Sequence, residues 1–210
     1  MPNPLHNELP NPTNYKNREC VLYGVVSESS KGLLIQRLSG LCDPGKKSFS
    51  EHEMVFTLRV AGDSQVQVRL RRRLNTDAFY WHARYVGTVE PDAKCPTLVR
   101  KTIDSCVFSS GMMEFVKALG LRIDYELLMD GYLFTKGNIR VTISQISYTE
   151  KTGHYEREFR KPLGSGSNLV EVSALIPENQ DYLPAAKAVR EFADHLSPLC
   201  ELQKFDYTKE

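Results

Sequence analysis

Two segments around a short polar turn constrain this chain more than any other feature. Residues 50–60, SEHEMVFTLRV, and 65–74, QVQVRLRRRL, flank Ala61-Gly62-Asp63-Ser64. Side chains alternate across a strand, and a turn containing Gly and Asp is what a hairpin requires. The spacing therefore predicts two paired strands. In the first, His52, Met54, Phe56, Leu58 and Val60 share one face, and Glu51, Glu53, Val55, Thr57 and Arg59 share the other. In the second, Arg69, Arg71 and Arg73 share a face with Gln65 and Gln67, opposite Val66, Val68 and Leu70. Carboxylates next to arginines could hold a divalent metal and a phosphate, or could line an ordinary solvated wall.

The rest of the chain extends the strand pattern. Apolar or alternating runs occur at 20–27, 79–89, 97–108, 124–148 and 168–177. The longest carries two turn signals, Asp130-Gly131 and Lys136-Gly137-Asn138. Three helices interrupt the strands. The first, at 30–42, puts Leu34, Leu38 and Leu41 on one stripe and ends at Gly40 or at Asp43-Pro44-Gly45. The second, at 109–120, opens on serine caps, groups Met112, Phe115, Val116 and Leu119, and stops at Gly120. The third, at 184–198, starts with Pro184 in its first turn and buries Ala185, Val189, Phe192 and Leu196. The expected fold is α+β and mostly antiparallel: a twisted sheet closing into a β-barrel under about three covering helices.

Residues 1–17, rich in Pro and Asn, are expected to be a disordered leader, and 18–210 one barrel domain with a flexible Gly/Ser-rich loop at about 149–168. The formal net charge of +1 provides no global attraction to nucleic acid or membrane. No apolar run approaches the roughly 20 residues that span a bilayer, and the N-terminus lacks the pattern of an export signal. The five cysteines, Cys20, Cys42, Cys95, Cys106 and Cys200, are odd in number and widely spaced, which suits buried free thiols in cytoplasm or nucleus.

Candidate chemistry is sparse. Gly40, Gly45 and Lys46 imitate a phosphate-binding loop, but Lys47 stands where its hydroxyl belongs and a helix precedes it instead of following. No Gly-x-Ser-x-Gly occurs, and His6, His52, His82, His154 and His195 show no metal-ligand spacing. His82, beside Trp81, suits a packing role. The arginine cluster is either a nucleic-acid patch or the polar face of a half-buried strand; a nucleic-acid binder would weaken when Arg71 and Arg73 become Gln. If the hairpin lined a barrel interior, Glu51 and Glu53 with the arginines would resemble the site of a metal-dependent triphosphate hydrolase of the tunnel type. Such a tunnel needs a second acidic strand, and 168–175 offers only Glu171, with Ser173 beside it.

The segments LIQRLSGLCD (34–43), HEMVF (52–56), LRRRL (70–74), WHARYVG (81–87) and DYELLMDGYLFTKG (124–137), in this order, closely resemble the animal Mediator subunit 18 family. The resemblance runs from about Cys20 to the C-terminus and is weakest at 149–168. It implies a nuclear β-barrel in the Mediator head module, a coregulator of RNA polymerase II transcription. It implies a heterodimer with Mediator subunit 20 and tethering by a helix near the C-terminus of Mediator subunit 8. It also implies a fold similar to the tunnel triphosphatases without catalysis, so no cofactor or metal is expected and Glu51 and Glu53 belong to a wall. Candidate partner-binding residues are Leu34, Leu38 and Leu41 on the first helix, Met112, Phe115 and Leu119 on the second, and Arg71 and Arg73. Phe79, Tyr80 and Trp81 are either an interface anchor or core.

Overall fold

The computed structural model describes residues 16–59, 65–76, 80–151 and 153–205. The turn at 61–64, Phe79 and residues 1–15 of the expected leader lie outside them. In chain order the elements are β1 (Lys16–Ser27), α1 (Glu28–Leu41), β2 (Lys47–Arg59), β3 (Gln65–Arg73), β4 (Trp81–Val89) and β5 (Leu98–Val107). There follow α2 (Met112–Ala118), β6 (Arg122–Lys136), β7 (Ile139–Thr149), β8 (Arg160–Pro162), β9 (Ser167–Pro177) and α3 (Leu183–Asp194). Lys16 and Asn17 are not leader; they pair with Ile103 and Thr102 of β5.

All pairings are antiparallel, in the order β6-β2-β3-β4-β5-β1-β9-β7, and a β6–β7 ladder joins the two ends. Eight strands thus form a closed barrel, with β8 attached to the end of β7 outside the ring. Closure removes the free sheet edges that would otherwise invite further strand pairing. Each strand consequently has a lumen face and an outer face, and the outer faces carry the helices.

The larger apolar core lies outside the barrel. Cys20, Leu22 and Val26 of β1 and Val170, Val172 and Ala174 of β9 pack with Val141 and Ile143 of β7 against Leu34 and Leu38 of α1 and Val189 and Phe192 of α3. The Ser27 hydroxyl accepts from the Ser30 amide and starts α1 two residues before the expected position. A smaller cluster joins Met54, Phe56, Leu70 and Trp81 to Met112 and Val116 of α2. The serines ahead of α2 do not cap it: Gly111 is the N-cap residue, and Ser109 only closes the preceding turn by accepting from the Gly111 amide. Gly120, at φ +79°, ends the segment in the left-handed region as expected.

Three other expectations need correction. Asp130-Gly131 is not a turn but the middle of β6. A Cβ at Gly131 would stand 2.1 Å from the Ile143 carbonyl oxygen, so glycine serves close strand approach there. The 149–168 segment is not a plain loop: it holds a 3-10 turn (Arg157–Phe159), β8 and the start of β9. The Tyr155 ring lies 4.2 Å from the ring of His52, and its hydroxyl donates to Glu126. Finally, Cys20, Cys95 and Cys200 are buried free thiols, but Cys42 is half-buried and Cys106 is exposed.

Candidate functional site: the charged lumen

The register places the polar faces of six strands around one lumen. Glu51 lies opposite Arg73, Glu53 opposite Arg71, and Val55 opposite Arg69 on β2 and β3. Arg71 lies opposite His82, and Arg69 opposite Arg84, on β3 and β4. Arg84 faces Asp104 across β4 and β5, Arg100 faces Glu19 across β5 and β1, and Tyr23 faces Glu171 across β1 and β9. The arginine face of β3 is therefore neither a solvated sheet face nor an outward nucleic-acid patch. It lines the inside of the barrel.

The lumen charges are matched at short range. Arg71 donates to Glu53 through Nε, at 2.9 Å, and through Nη2. Arg69 reaches the same carboxylate at 3.4 Å and also the Gln67 side chain. Glu51 has Arg71 and Arg73 each at 3.6 Å. Glu19, almost fully buried, accepts from Arg84 at 3.0 Å and from Arg100 at 2.8 Å. Arg100 also donates to the Tyr23 hydroxyl at 2.7 Å. Asp104 accepts from Arg84 at 2.6 Å and lies 2.8 Å from Nε2 of His82.

These pairings decide which ionisation states persist. Burial pushes the Glu19 and Glu53 carboxyls up, but the arginines beside each outweigh it, and both titrate below the usual carboxylate range. Burial opposes ionisation at Asp104 too, and hydrogen bonds from His82 and Arg84 bring it down to about 2. Burial opposes the charge on Arg71 and Arg100, but Glu53 and Glu51 beside the first and Glu19 beside the second hold both above the usual arginine value, with a smaller contribution from Glu171 on the wall opposite β3. The lumen is thus an ionised, internally compensated belt.

Outside the wall lies a second polar group. His52, fully buried, has Nε2 3.0 Å from Glu126, and Arg72 is placed between the rings of Trp81 and Tyr155. Burial lowers the His52 pKa, and Glu126 opposes that only in part.

The structure brings together the residues of the hydrolase alternative only loosely. Glu51 and Glu53 do face the lumen, and Glu171 lies on a strand across it. Among the described residues, however, no three His, Cys, Asp or Glu side chains are placed to hold a metal ion. The partner-binding candidates divide. Leu34 and Leu38 are completely buried and Met112 nearly so, each packed under its own helix, so they cannot meet a partner. Arg71 lies in the lumen, out of reach of an outer partner surface. Phe115 and Leu119 are more than half exposed on the outer face of α2. Leu41 lines a groove with Leu33, Arg37 and Leu199 beside α1, and Arg73 keeps 44% of its side chain exposed. Trp81 is core, and Tyr80 lies against Phe108 at 5.8 Å between ring centroids. Glu19 carries no local signal in the sequence, because its arginines are 65 and 81 residues away.

A closed antiparallel barrel with helices outside and paired carboxylates and guanidiniums inside is a barrel of the tunnel-triphosphatase class of folds. The chain belongs within that class to the Med18 family, whose model, described as Med18 protein, matches residues 18–209. A Caenorhabditis elegans protein named Mediator of RNA polymerase II transcription subunit 18 is 48% identical over 204 residues, covering 95% of this chain and 88% of the relative. Its Drosophila melanogaster namesake is 34% identical over 197 residues, covering 92% and 88%. Among solved structures, a chain of the Schizosaccharomyces pombe Mediator head module superposes with TM-score 0.75 at 20% identity, covering 90% of this chain and 98% of that one. The mimivirus capping enzyme triphosphatase superposes with TM-score 0.52 at 10% identity, covering 87% and 89%. The two structural likenesses establish the fold.

Proposed function

We propose that this chain is a non-enzymatic scaffold subunit of the Mediator head module, acting in the nucleus on RNA polymerase II transcription through protein–protein contacts. The observation that carries the proposal is the pairing of Glu19, Glu51, Glu53 and Asp104 with arginines of the chain itself. A carboxylate already neutralised by a guanidinium has little left to give a metal ion. Family membership supplies the direction: the relatives bear the name of a Mediator subunit.

In this role the docking surfaces are exposed apolar side chains, because the eight strands of the ring are paired with one another and the strand outside it, β8, is only three residues long. Phe115 and Leu119 on α2 and Leu41 beside α1 are the candidates, with Arg73 at the barrel mouth for an acidic group. The partners are Mediator subunit 20, as a heterodimer, and the C-terminal helix of Mediator subunit 8. A tagged pull-down from nuclear extract at moderately high salt, read by quantitative mass spectrometry, tests this. Stoichiometric recovery of both subunits is expected; recovery of the chain alone, folded and monodisperse, defeats the scaffold role. The hydrolase alternative predicts Mn²⁺-dependent cleavage of triphosphate that Glu51→Gln abolishes, and equal background rates in both proteins end it.

A further inference from the structure

We infer that residues 153–159 form a strap closed over the outer wall of the barrel by Tyr155, and that a proton taken up by His52 beneath it opens the strap while the barrel stays folded. His52 is 1% exposed and lies opposite Arg72 across β2 and β3. The Tyr155 ring lies against both, with its centroid 4.2 Å from that of His52 and 5.5 Å from the Arg72 guanidinium carbon. Arg72 is stacked in turn on Trp81. One carboxylate joins wall and strap: Glu126 of β6 lies 3.0 Å from Nε2 of His52 and accepts from the Tyr155 hydroxyl at 3.2 Å.

The two ring nitrogens of His52 are placed differently. A carboxylate accepts, so the neutral ring carries its proton on Nε2 and donates it to Glu126. Nδ1 is buried and has no hydrogen-bond partner among the described residues. A second proton goes there, where it becomes a charged donor facing neither an acceptor nor water, beside Arg72. Of the other charged groups around the ring, Glu126 favours that proton and Arg160 of β8 opposes it. Burial above all, with the two arginines adding to it, outweighs Glu126 and lowers the His52 pKa from its usual 6.5. Lifting the strap admits water to Nδ1 and removes much of that burial. The closed strap is therefore fully favoured above about pH 6.5 and loses this advantage as pH falls through the lowered value.

The strap gives way before the wall because far less holds it. Each strand of the ring is paired on both sides, whereas residues 153–159 belong to no ladder. The segment is anchored beyond its end, where β8 pairs with Ser147, Tyr148 and Thr149 and Arg160 donates to the Tyr155 carbonyl at 2.7 Å. Gly153, at φ +85°, turns the chain, and Glu156, Arg157 and Glu158 are exposed. Tyr155 ties the middle of the strap to the wall, through its ring on His52 and Arg72 and its hydroxyl on Glu126. Segments with so few buried contacts open locally at a small fraction of the global unfolding free energy.

Limited proteolysis of the purified full chain by a glutamyl endopeptidase, which cuts after Glu156 and Glu158 once the strap is lifted, tests the inference from pH 7.5 to 5. Tyr155→Ala removes the latch, so dividing by its cleavage rate cancels the pH dependence of the protease. The wild-type ratio should be well below one at pH 7.5 and rise as pH falls, by at most about tenfold per pH unit, the response to one proton. His52→Gln keeps a donor for Glu126 but takes up no proton, and its ratio should stay low throughout. Circular dichroism checks that each variant is folded, and mass spectrometry of the fragments checks that the cuts are confined to the strap. In wild-type protein with isotope-labelled histidine, the His52 ring should titrate and lose its NMR contacts with Tyr155 over the same range. That measurement suffices alone if a variant does not fold. A ratio that does not change with pH overturns the inference. So does a rise that His52→Gln shares, cleavage spread through the barrel, or a His52 ring that stays neutral while the ratio rises.

Discussion

Along β1, neighbouring residues belong to different physical regimes. Cys20, Leu22 and Val26 face α1 and α3 and pack in an apolar core, while Glu19 and Tyr23 face the lumen and join an ion-paired belt. The outer side is held by burial, which is non-directional and tolerates a repacked neighbour. The lumen is held by directed contacts between charges that have lost most of their water, so removing one partner leaves another stranded. The same strand thus carries a tolerant face and an intolerant one.

The lumen should give the larger loss. Glu19→Gln leaves Arg84 and Arg100 without their shared carboxylate and should cost about 4 kcal/mol in urea unfolding at pH 7. Leu38→Ala, on the other side of the same wall, should cost about 3 kcal/mol through lost burial and a residual cavity. The two are separated by pH: the Glu19→Gln deficit should shrink as the wild-type carboxylate protonates in strong acid, while that of Leu38→Ala should not change. Equal pH-independence in both would remove the distinction between the faces.

This division also explains how much of the molecule was legible in the sequence. Alternation at 51–60 and 65–74 revealed two strands, their pairing and which residues share a face, because alternation is a local property. It could not tell a lumen from solvent, since polar side chains line both. The distinction depends on the β6–β7 ladder, which closes the ring between residues far from either strand. Glu19 escaped for the same reason: its two arginines arrive from β4 and β5, and nothing near it in sequence announces them. Asp130-Gly131 misled in the opposite direction, where a glycine chosen for close strand approach imitated a turn. On the helices, periodicity groups Met112, Phe115, Val116 and Leu119 as one stripe, but only Met112 and Val116, one turn apart, pack on the barrel, while Phe115 and the C-cap residue Leu119 stay outside.

Acid should expose the difference between the inner and outer polar groups. His52, buried on the outer side of the wall, has a pKa lowered from its usual 6.5, first by burial. The unfolded chain therefore binds a proton there before the folded one, and stability is fully present above about pH 6.5 and declines as pH falls towards the folded value. The slope for one such proton is at most about 1.4 kcal/mol per pH unit. Glu19 and Glu53 are also depressed, from 4.5, so their contribution persists to lower pH and fades only below that value. Two successive losses are expected in unfolding free energy measured from pH 7.5 to 3, and His52→Gln should flatten only the first. A single loss below pH 4.5 would mean that His52 does not contribute.

The smallest effect on stability should come from an apolar face on the outside of α2 that lies exposed among the described residues. Phe115 and Leu119 stand one helical turn apart on α2, both more than half exposed, while Met112 and Val116 hold the helix to the barrel from beneath. Replacing both with Ser removes little buried surface, so the unfolding free energy should change by no more than about 0.5 kcal/mol. If this face receives a Mediator subunit, the same pair of changes should nevertheless sharply reduce recovery of that subunit in the pull-down. A protein equally stable and equally able to capture its partners would leave this face without a binding role. The docking surface would then have to be the groove at Leu33, Leu41 and Leu199.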